Sequence, residues 1–245
     1  MPGTHAQWSP SGSPYWYNHG DGCPARVLLP PVPETSSVPA EEGTRLHGLS
    51  EDYLLDKDPE ISDEDWEKIG PYCEYIDGLE MENPMGTLLI EEVVNITPIT
   101  GEEEAHGHAD AVFITPHRVE MVDLKTGFVQ VPPERNCQLM MYGAGIAIEL
   151  DLHPDTVVRL TIHQDGEARS WDTTAGELYD FAEAVKAYVD EAQQYLNDTG
   201  AYPYAASEKN CQWCPHIIDC EAQAGMRTEI AKSDFAVPED PDELG

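Results

Sequence analysis

The chain has 245 residues, 40% of them apolar, and 47 acidic against 13 basic side chains, for a formal net charge of −34. That length and apolar content suffice for one domain with a real core, and with no run of eighteen apolar residues a membrane span is excluded. A surface so acidic repels phosphates at low salt and on composition alone stands against nucleic acid; it reads as a solubilising surface suited to a concentrated-salt cytoplasm, where phosphates would be held through metal ions and stacking rather than counterion release.

Residues 1–22, rich in Pro, Gly, Ser and aromatic side chains, read as an N-terminal arm. They lack the basic start and apolar centre of a signal peptide, so a reducing cytoplasm is expected, and there the six cysteines serve as thiols or metal ligands rather than disulfides. Trp8, Tyr15, Trp16 and Tyr17 in this arm, and Trp213 near the other end, either stack on bases or pack into the core. A proline-rich connector covers 28–40.

Residues 40–56 read as a helix with Leu46, Leu49 and Tyr53 on one face. Residues 62–80, opened by a Ser cap and first-turn acids, read as a second. The stretches 87–96, 108–115 and 118–126 read as strands, the last two joined in a hairpin by Pro116-His117. A helix from about 134 to 150, a strand over 156–164 and a helix from about 175 to 197 follow. This last helix opens with the capping box Thr174-Ala-Gly-Glu177 and buries Leu178, Phe181, Val185, Tyr188 and Val189. The order predicts an α/β domain with a mixed central sheet over residues 23–225, followed at 226–245 by an acidic, disordered tail.

On the strand from Arg118, alternation places Val119, Met121, Asp123 and Lys125 on one face. Asp110 shares its face with Val112 and Ile114, and folding the hairpin about Pro116-His117 brings it near Asp123. Two carboxylates and an ammonium half buried together are costly as decoration. The chemistry that wants them is metal-assisted phosphodiester hydrolysis: carboxylates bind one or two Mg²⁺ ions, and a lysine orients water or offsets charge on the phosphorane. The bland alternative is an Asp123–Lys125 ion pair. Glu92, in phase with Leu88, Ile90, Val94 and Ile96, either points at the same site or makes a strand-end salt bridge. Gln138 and Tyr142, four apart, share a helix face.

Gly107-x-x-Asp110, then Asp123-Leu-Lys125-Thr126-Gly127, then Gln138-x-x-x-Tyr142, preceded by His47 in "EEGTRLH", resembles the PD-(D/E)xK nucleases of the RecB type. The resemblance implies a restriction-endonuclease-like core in which His47, Asp110, Asp123 and the Leu124 carbonyl bind Mg²⁺ or Mn²⁺. It implies that Asp110, Asp123 and Lys125 are catalytic and that Gln138 and Tyr142 orient Lys125 or the DNA backbone. Asp123 stands where many members have Glu, and both serve as ligands.

"CQWCPHIIDC" supplies Cys211, Cys214 and Cys220, a spacing that suits a tetrahedral metal site or a cluster. Zinc and iron-sulfur are equally compatible with the ligand type. Cys23 is the best fourth ligand, since Cys73 and Cys137 fall on helices and read as ordinary half-buried thiols; His216 is the alternative. One cysteine before the core and three after it is similar to the iron-sulfur members of the superfamily, among them CRISPR-associated exonucleases and AddB-type nuclease domains. It is most similar to a phage and prophage family that begins with a Ser-x-Ser…Cys-Pro segment. That likeness runs from about Ser9 to Ala224 and implies a 4Fe-4S cluster stapling the chain ends. It also implies a DNA exonuclease acting on ends or single strands in phage or mobile-element recombination, alongside a single-strand annealing protein. The competing expectations are a non-catalytic iron-sulfur module that binds DNA ends or protein, and a zinc-stapled endonuclease of restriction type.

Overall fold

A computed structural model describes residues 6–32 and 38–234. The arm holds a short helix, α1 (Ser13–Trp16), and a second, α2 (Ala25–Leu28), comes just after it, followed by α3 (Val38–Leu54) and α4 (Asp63–Glu82). Ser62 caps α4 by accepting from the Asp65 amide, and three acids occupy its first turn, so the cap and the helix dipole act together. Next come β1 (Thr87–Asn95), α5 (Thr97–Thr100), β2 (His106–Ile114), β3 (Arg118–Lys125), α6 (Cys137–Glu149), β4 (Val157–Gln164) and β5 (Glu167–Thr174). The chain continues with α7 (Ala175–Thr199), α8 (Glu208–Cys211) and α9 (Glu221–Asp234).

The five strands form one mixed sheet in the order β1-β2-β3-β4-β5. Neighbours are antiparallel except β3 and β4, which run parallel. Parallel neighbours need a crossover, and α6 supplies it. One face of the sheet packs Val112, Val119, Met121, Leu160 and Ile162 against α6 and α7. The other packs Ala111, Phe113, Val122 and Leu124 against Leu46 of α3 and Ile69, Tyr72 and Ile76 of α4. Each large aliphatic or aromatic side chain so enclosed contributes about 1.5–3 kcal/mol. Thus β3 is covered on both faces, and its polar end emerges between α3 and α6.

Glu120 on β3 is fully buried; its Oε1 is hydrogen-bonded twice, while its Oε2 takes no hydrogen bond and meets only the Arg118 cation. Glu120 accepts from Tyr75 Oη at 2.6 Å and Thr161 Oγ1 at 2.9 Å, and pairs with Arg118 at 2.9 Å. The predicted capping box is present: Thr174 accepts from the Glu177 amide, and Glu177 accepts from the Thr174 amide.

Several expectations need correction. Strand β5 follows β4 through the two-residue turn Asp165-Gly166, both at positive φ (54° and 77°), in a stretch where the sequence pattern marked no element. Of the two readings of the arm's aromatic residues, core packing holds for Trp8, Trp16 and Tyr17, which are buried in the main core with Trp8 edge-on to Trp16 at 5.1 Å. Trp213 is 74% exposed. Cys73 and Cys137 are fully rather than half buried, and burial pushes the Cys73 thiol up to about 12. The helix expected from 134 starts at Cys137, because Pro132 and Pro133 precede it and Asn136 is its cap. The tail boundary expected at 226 falls inside α9, which continues to Asp234. Residues 1–5, 33–37 and 235–245, belonging to the expected arm, connector and tail, lie outside the described residues. No helix among the described residues is long and apolar enough to cross a membrane.

Candidate functional site

The β1–β2 ladder pairs Ile90 with Ala111 and Glu92 with Ala109, but skips the pair between them, Glu91 and Asp110. Glu91 takes a left-handed backbone there (φ 51°), and both strands change face. Leu88 and Ile90 pack toward α3 and α4 while Val94 packs toward α6 and α7; on β2, Ala111 and Ala109 divide the same way. Unbroken alternation therefore drew attention to Glu92 as the candidate site acid of β1 and left Glu91 unnoticed. Glu92 pairs opposite Ala109, and Glu91 is the carboxylate on β1 that enters the site.

His47 of α3 reaches the same place. Ligand atoms of His47, Glu91 and Asp110 all lie within 4.8 Å of one another, and His47 Nδ1 is 3.4 Å from Asp110 Oδ1. The other Asp110 oxygen accepts from the Leu124 amide at 2.7 Å, which locks β2 to the end of β3. For Leu124 the contact shown is therefore through N–H; its carbonyl was the expected ligand. The two carboxylates supply hard oxygen donors of the kind that suit Mg²⁺ or Mn²⁺, and the imidazole adds one softer nitrogen.

Beside this trio stands a second unit. Lys125 Nζ lies 2.8 Å from Asp123 Oδ2 and donates to Gln138 Oε1 at 3.1 Å, while Gln138 Nε2 donates to Asp123 Oδ1 at 2.9 Å. Three side chains thus close a ring, with Gln138 on the first turn of the crossover helix. Asp123, expected among the metal ligands, is turned toward Lys125 and Gln138, although its charge is felt by His47. Tyr142, one turn further along α6, lies against Gly107: a Cβ at that glycine would stand 2.7 Å from Tyr142 Cε1 and 2.9 Å from Pro10 Cγ. Absence of a side chain at 107 is what lets the Tyr142 ring approach β2.

Electrostatics mark the region as short of positive charge. Burial, and then the neighbouring Asp110, push the Asp123 carboxyl up to about 6 despite Lys125. Burial raises Glu91 as well, with Asp110 and Glu51 adding to it. Burial works against the charged forms of His47 and Lys125, yet both are held above their ordinary values, His47 by Asp110 and Lys125 by Asp123. Burial and the two aspartates also raise the Tyr142 phenol. A divalent cation would relieve the carboxylates together.

At the chain ends, Cys23, Cys211, Cys214 and Cys220 line one cavity, which His216 also borders. Cys23 Sγ accepts from the Ala205 amide at 3.3 Å. Arg26 clasps the cysteine loop, donating to the carbonyls of Asn210, Gln212 and Trp213 at 3.5, 3.3 and 2.8 Å. Asn210 Nδ2 returns bonds to the Asp21 and Ala205 carbonyls at 2.8 and 2.9 Å. Among the described residues no three of the four sulfurs lie within 4.8 Å of one another. The sequence-expected fourth cysteine is thus in the same cavity as the other three.

The fold and site define a mixed α/β protein that gathers an imidazole, three carboxylates and an amine at one end of its central strands, with a thiol-lined cavity joining its chain ends. The chain belongs to the family described as "Protein of unknown function (DUF2800)", which matches residues 55–244. That span holds Glu91, Asp110, Asp123, Lys125 and three of the four cysteines; His47 and Cys23 precede it. Among solved structures the chain is similar to SSO0001, known from a crystal structure, at 15% identity over 81% of this chain and 92% of that one, with a TM-score of 0.33.

Proposed function

We propose that this protein is a metal-dependent DNA nuclease, an exonuclease acting on ends or single strands. The observation that carries the reading is the convergence of His47, Glu91 and Asp110 beside the closed ring of Asp123, Lys125 and Gln138. When bound, Mg²⁺ or Mn²⁺ supplies Lewis acidity toward a phosphate oxygen and an attacking water. His47, Glu91 and Asp110 would hold it, with Asp123 and the Leu124 carbonyl completing the set expected from sequence. Lys125 brings a charge kept in place by Asp123, and so offsets the negative charge that builds on a phosphate under attack. Gln138 fixes the rotamers of both partners, so the amine is positioned before substrate arrives. Tyr142 packs beneath Gln138 and orients it.

We assign the four cysteines to a 4Fe-4S cluster. The four line one cavity joining the chain ends, and the choice of an iron-sulfur cluster over zinc, which thiolates bind equally well, rests on the sequence resemblance. Cleavage of phage or mobile-element DNA, with a single-strand annealing protein as partner, rests on the sequence resemblance alone.

The test uses anaerobically purified protein on end-labelled linear, single-stranded and circular DNA with Mg²⁺ or Mn²⁺. Wild type should shorten linear substrates, spare circles and lose turnover in Lys125→Ala. Binding without any cleavage would replace the enzyme with a non-catalytic end-binding module. Cuts in circular DNA, with zinc in place of iron and sulfide, would replace it with a zinc-stapled endonuclease.

A further inference from the structure

On the nuclease reading, a chain of net charge −34 has to hold a polyanion. Most of its bases are already neutralised: Arg45, Lys57, Lys68, Arg118, Lys125, Arg159 and Lys186 each pair with a carboxylate within 4.0 Å. Among the described residues Arg26, Arg135, Arg169, Lys209 and Arg227 form no such pair. Except for Arg227 on α9, they are held only by neutral oxygens or by no side-chain bond at all.

Arg135 ends the loop that carries the chain from Lys125 to Gln138, and its side chain is exposed and makes no hydrogen bond among the described residues. Its carbonyl accepts from His19 Nε2 at 2.8 Å. Lys209 on α8 donates to Asn18 Oδ1 at 2.5 Å, so α8 and the backbone of Arg135 both meet the Asn18-His19 turn. Both act electrostatically on Cys137, the residue beside Gln138. Glu134 and Glu208 adjoin them in sequence, yet neither forms an ion pair with them. The Arg26 guanidinium lies 4.6 Å from the centre of the Tyr15 ring, and Tyr15 is near enough to influence Lys125. Arg169 donates to Gln130 Oε1 at 3.1 Å and Gln164 Oε1 at 2.9 Å, bracing the loop that follows Lys125. That loop is pinned at its base, since Gln164 also donates to the Gly127 and Val129 carbonyls at 2.6 and 2.9 Å.

We propose that Arg26, Arg135, Arg169 and Lys209 form a phosphate-binding rim around the site, the unneutralised bases through which an acidic protein holds a nucleic-acid strand, with Arg135 and Lys209 its exposed contacts. The assignment rests on the nuclease reading and deepens it. Excess acid elsewhere then repels the strand from every other face, so one line of approach remains. Arg26 and Arg169 also position backbone and loop, and Lys209 ties α8 to Asn18; Arg135 has no side-chain bond among the described residues.

The test measures binding of a fluorescent single-stranded oligonucleotide against salt concentration with divalent metal withheld, and cleavage in parallel with Mg²⁺. Each phosphate contact contributes about 0.7 to the slope of log K against log salt for single strands. Arg135→Gln with Lys209→Gln should therefore flatten the slope by roughly 1.4. Lys57→Gln with Lys186→Gln, which removes two ion-paired bases, should leave it unchanged. An unchanged slope in the first pair overturns the rim, as does an equal loss in the second, which would show bulk charge at work. Arg135→Gln alone, at an exposed side chain without partners, gives the same reading at half size if the double variant folds poorly. Wild-type protein that cleaves while the first pair keeps its slope refutes the rim alone; wild type that neither binds nor cleaves refutes the nuclease reading itself.

Discussion

Glu91 lies opposite Asp110 at an interruption of the β1–β2 ladder, and the break is what aims both carboxylates at His47. A left-handed non-glycine residue within a strand costs about 1–3 kcal/mol and persists where its surroundings compel it.

Glu91→Gln should therefore weaken Mn²⁺ binding roughly tenfold or more, since ligand charge sets affinity for hard cations. Glu92→Gln, one residue on and paired opposite Ala109, should leave it unchanged. Calorimetric titration of Mn²⁺ into each variant checks this; equal effects would dissolve the distinction between the two acids.

Lys125→Ala should fold, with a defect that depends on pH. Asp123 already titrates at about 6 in the native chain, and losing the amine sends it higher. In the unfolded chain an aspartate releases its proton near 4, so the native state retains a proton that the unfolded state has lost, and stability falls as pH rises from there through the native value. The variant should be nearest wild type at about pH 5 and less stable by up to about 3 kcal/mol at about pH 8. Urea titrations at the two pH values give the comparison; a pH-independent loss would mean that Asp123 is not left charged.

Gly107→Ala should destabilise by about 1–3 kcal/mol through overpacking. The new methyl meets the Tyr142 ring and Pro10. Pairing it with Tyr142→Ala should recover part of the loss in a double-mutant cycle of thermal stabilities. Strict additivity would show that the two do not touch.

His163 is buried on β4 near the rings of Tyr72 and Tyr75, and burial holds its pKa below the ordinary value despite a bond to the Pro71 backbone. An unfolded histidine takes up its proton near 6.5, while the native one resists it. Its contribution is present above that value and is lost as pH falls from about 6.5 toward the native value. His163→Phe should flatten the decline in unfolding free energy between about pH 7 and 5. An undiminished slope would assign the acid sensitivity to other groups.

Much of this arrangement was legible because it depends on short-range rules. The Pro116-His117 hairpin fixes the register Ala111 to Val122, which sets Asp110 across from Asp123 without any tertiary information. Gln138 and Lys125 meet because a parallel crossover must return its helix over the strand it left. Glu91 was hidden because alternation presumes an unbroken ladder, and a left-handed residue in a Glu-Glu pair leaves no compositional trace. Strand β5 was missed because "EARSWDTT" is an edge strand with little apolar alternation, although Asp165-Gly166 carried the hairpin signal. The tryptophans of the arm were ambiguous since aromatic side chains serve cores and nucleic-acid surfaces alike.

The clasp of Arg26 on the Asn210 carbonyl spans 184 residues of chain. Joining points that far apart is entropically costly for a coil, whereas the hairpins and the α6 crossover close over far shorter distances. The order of assembly follows: the sheet and its covering helices come first, and only then do the two ends meet. The thiol-lined cavity is consequently the feature whose closure carries the largest loop entropy, and its two walls should be the first contact to part as stability is lost.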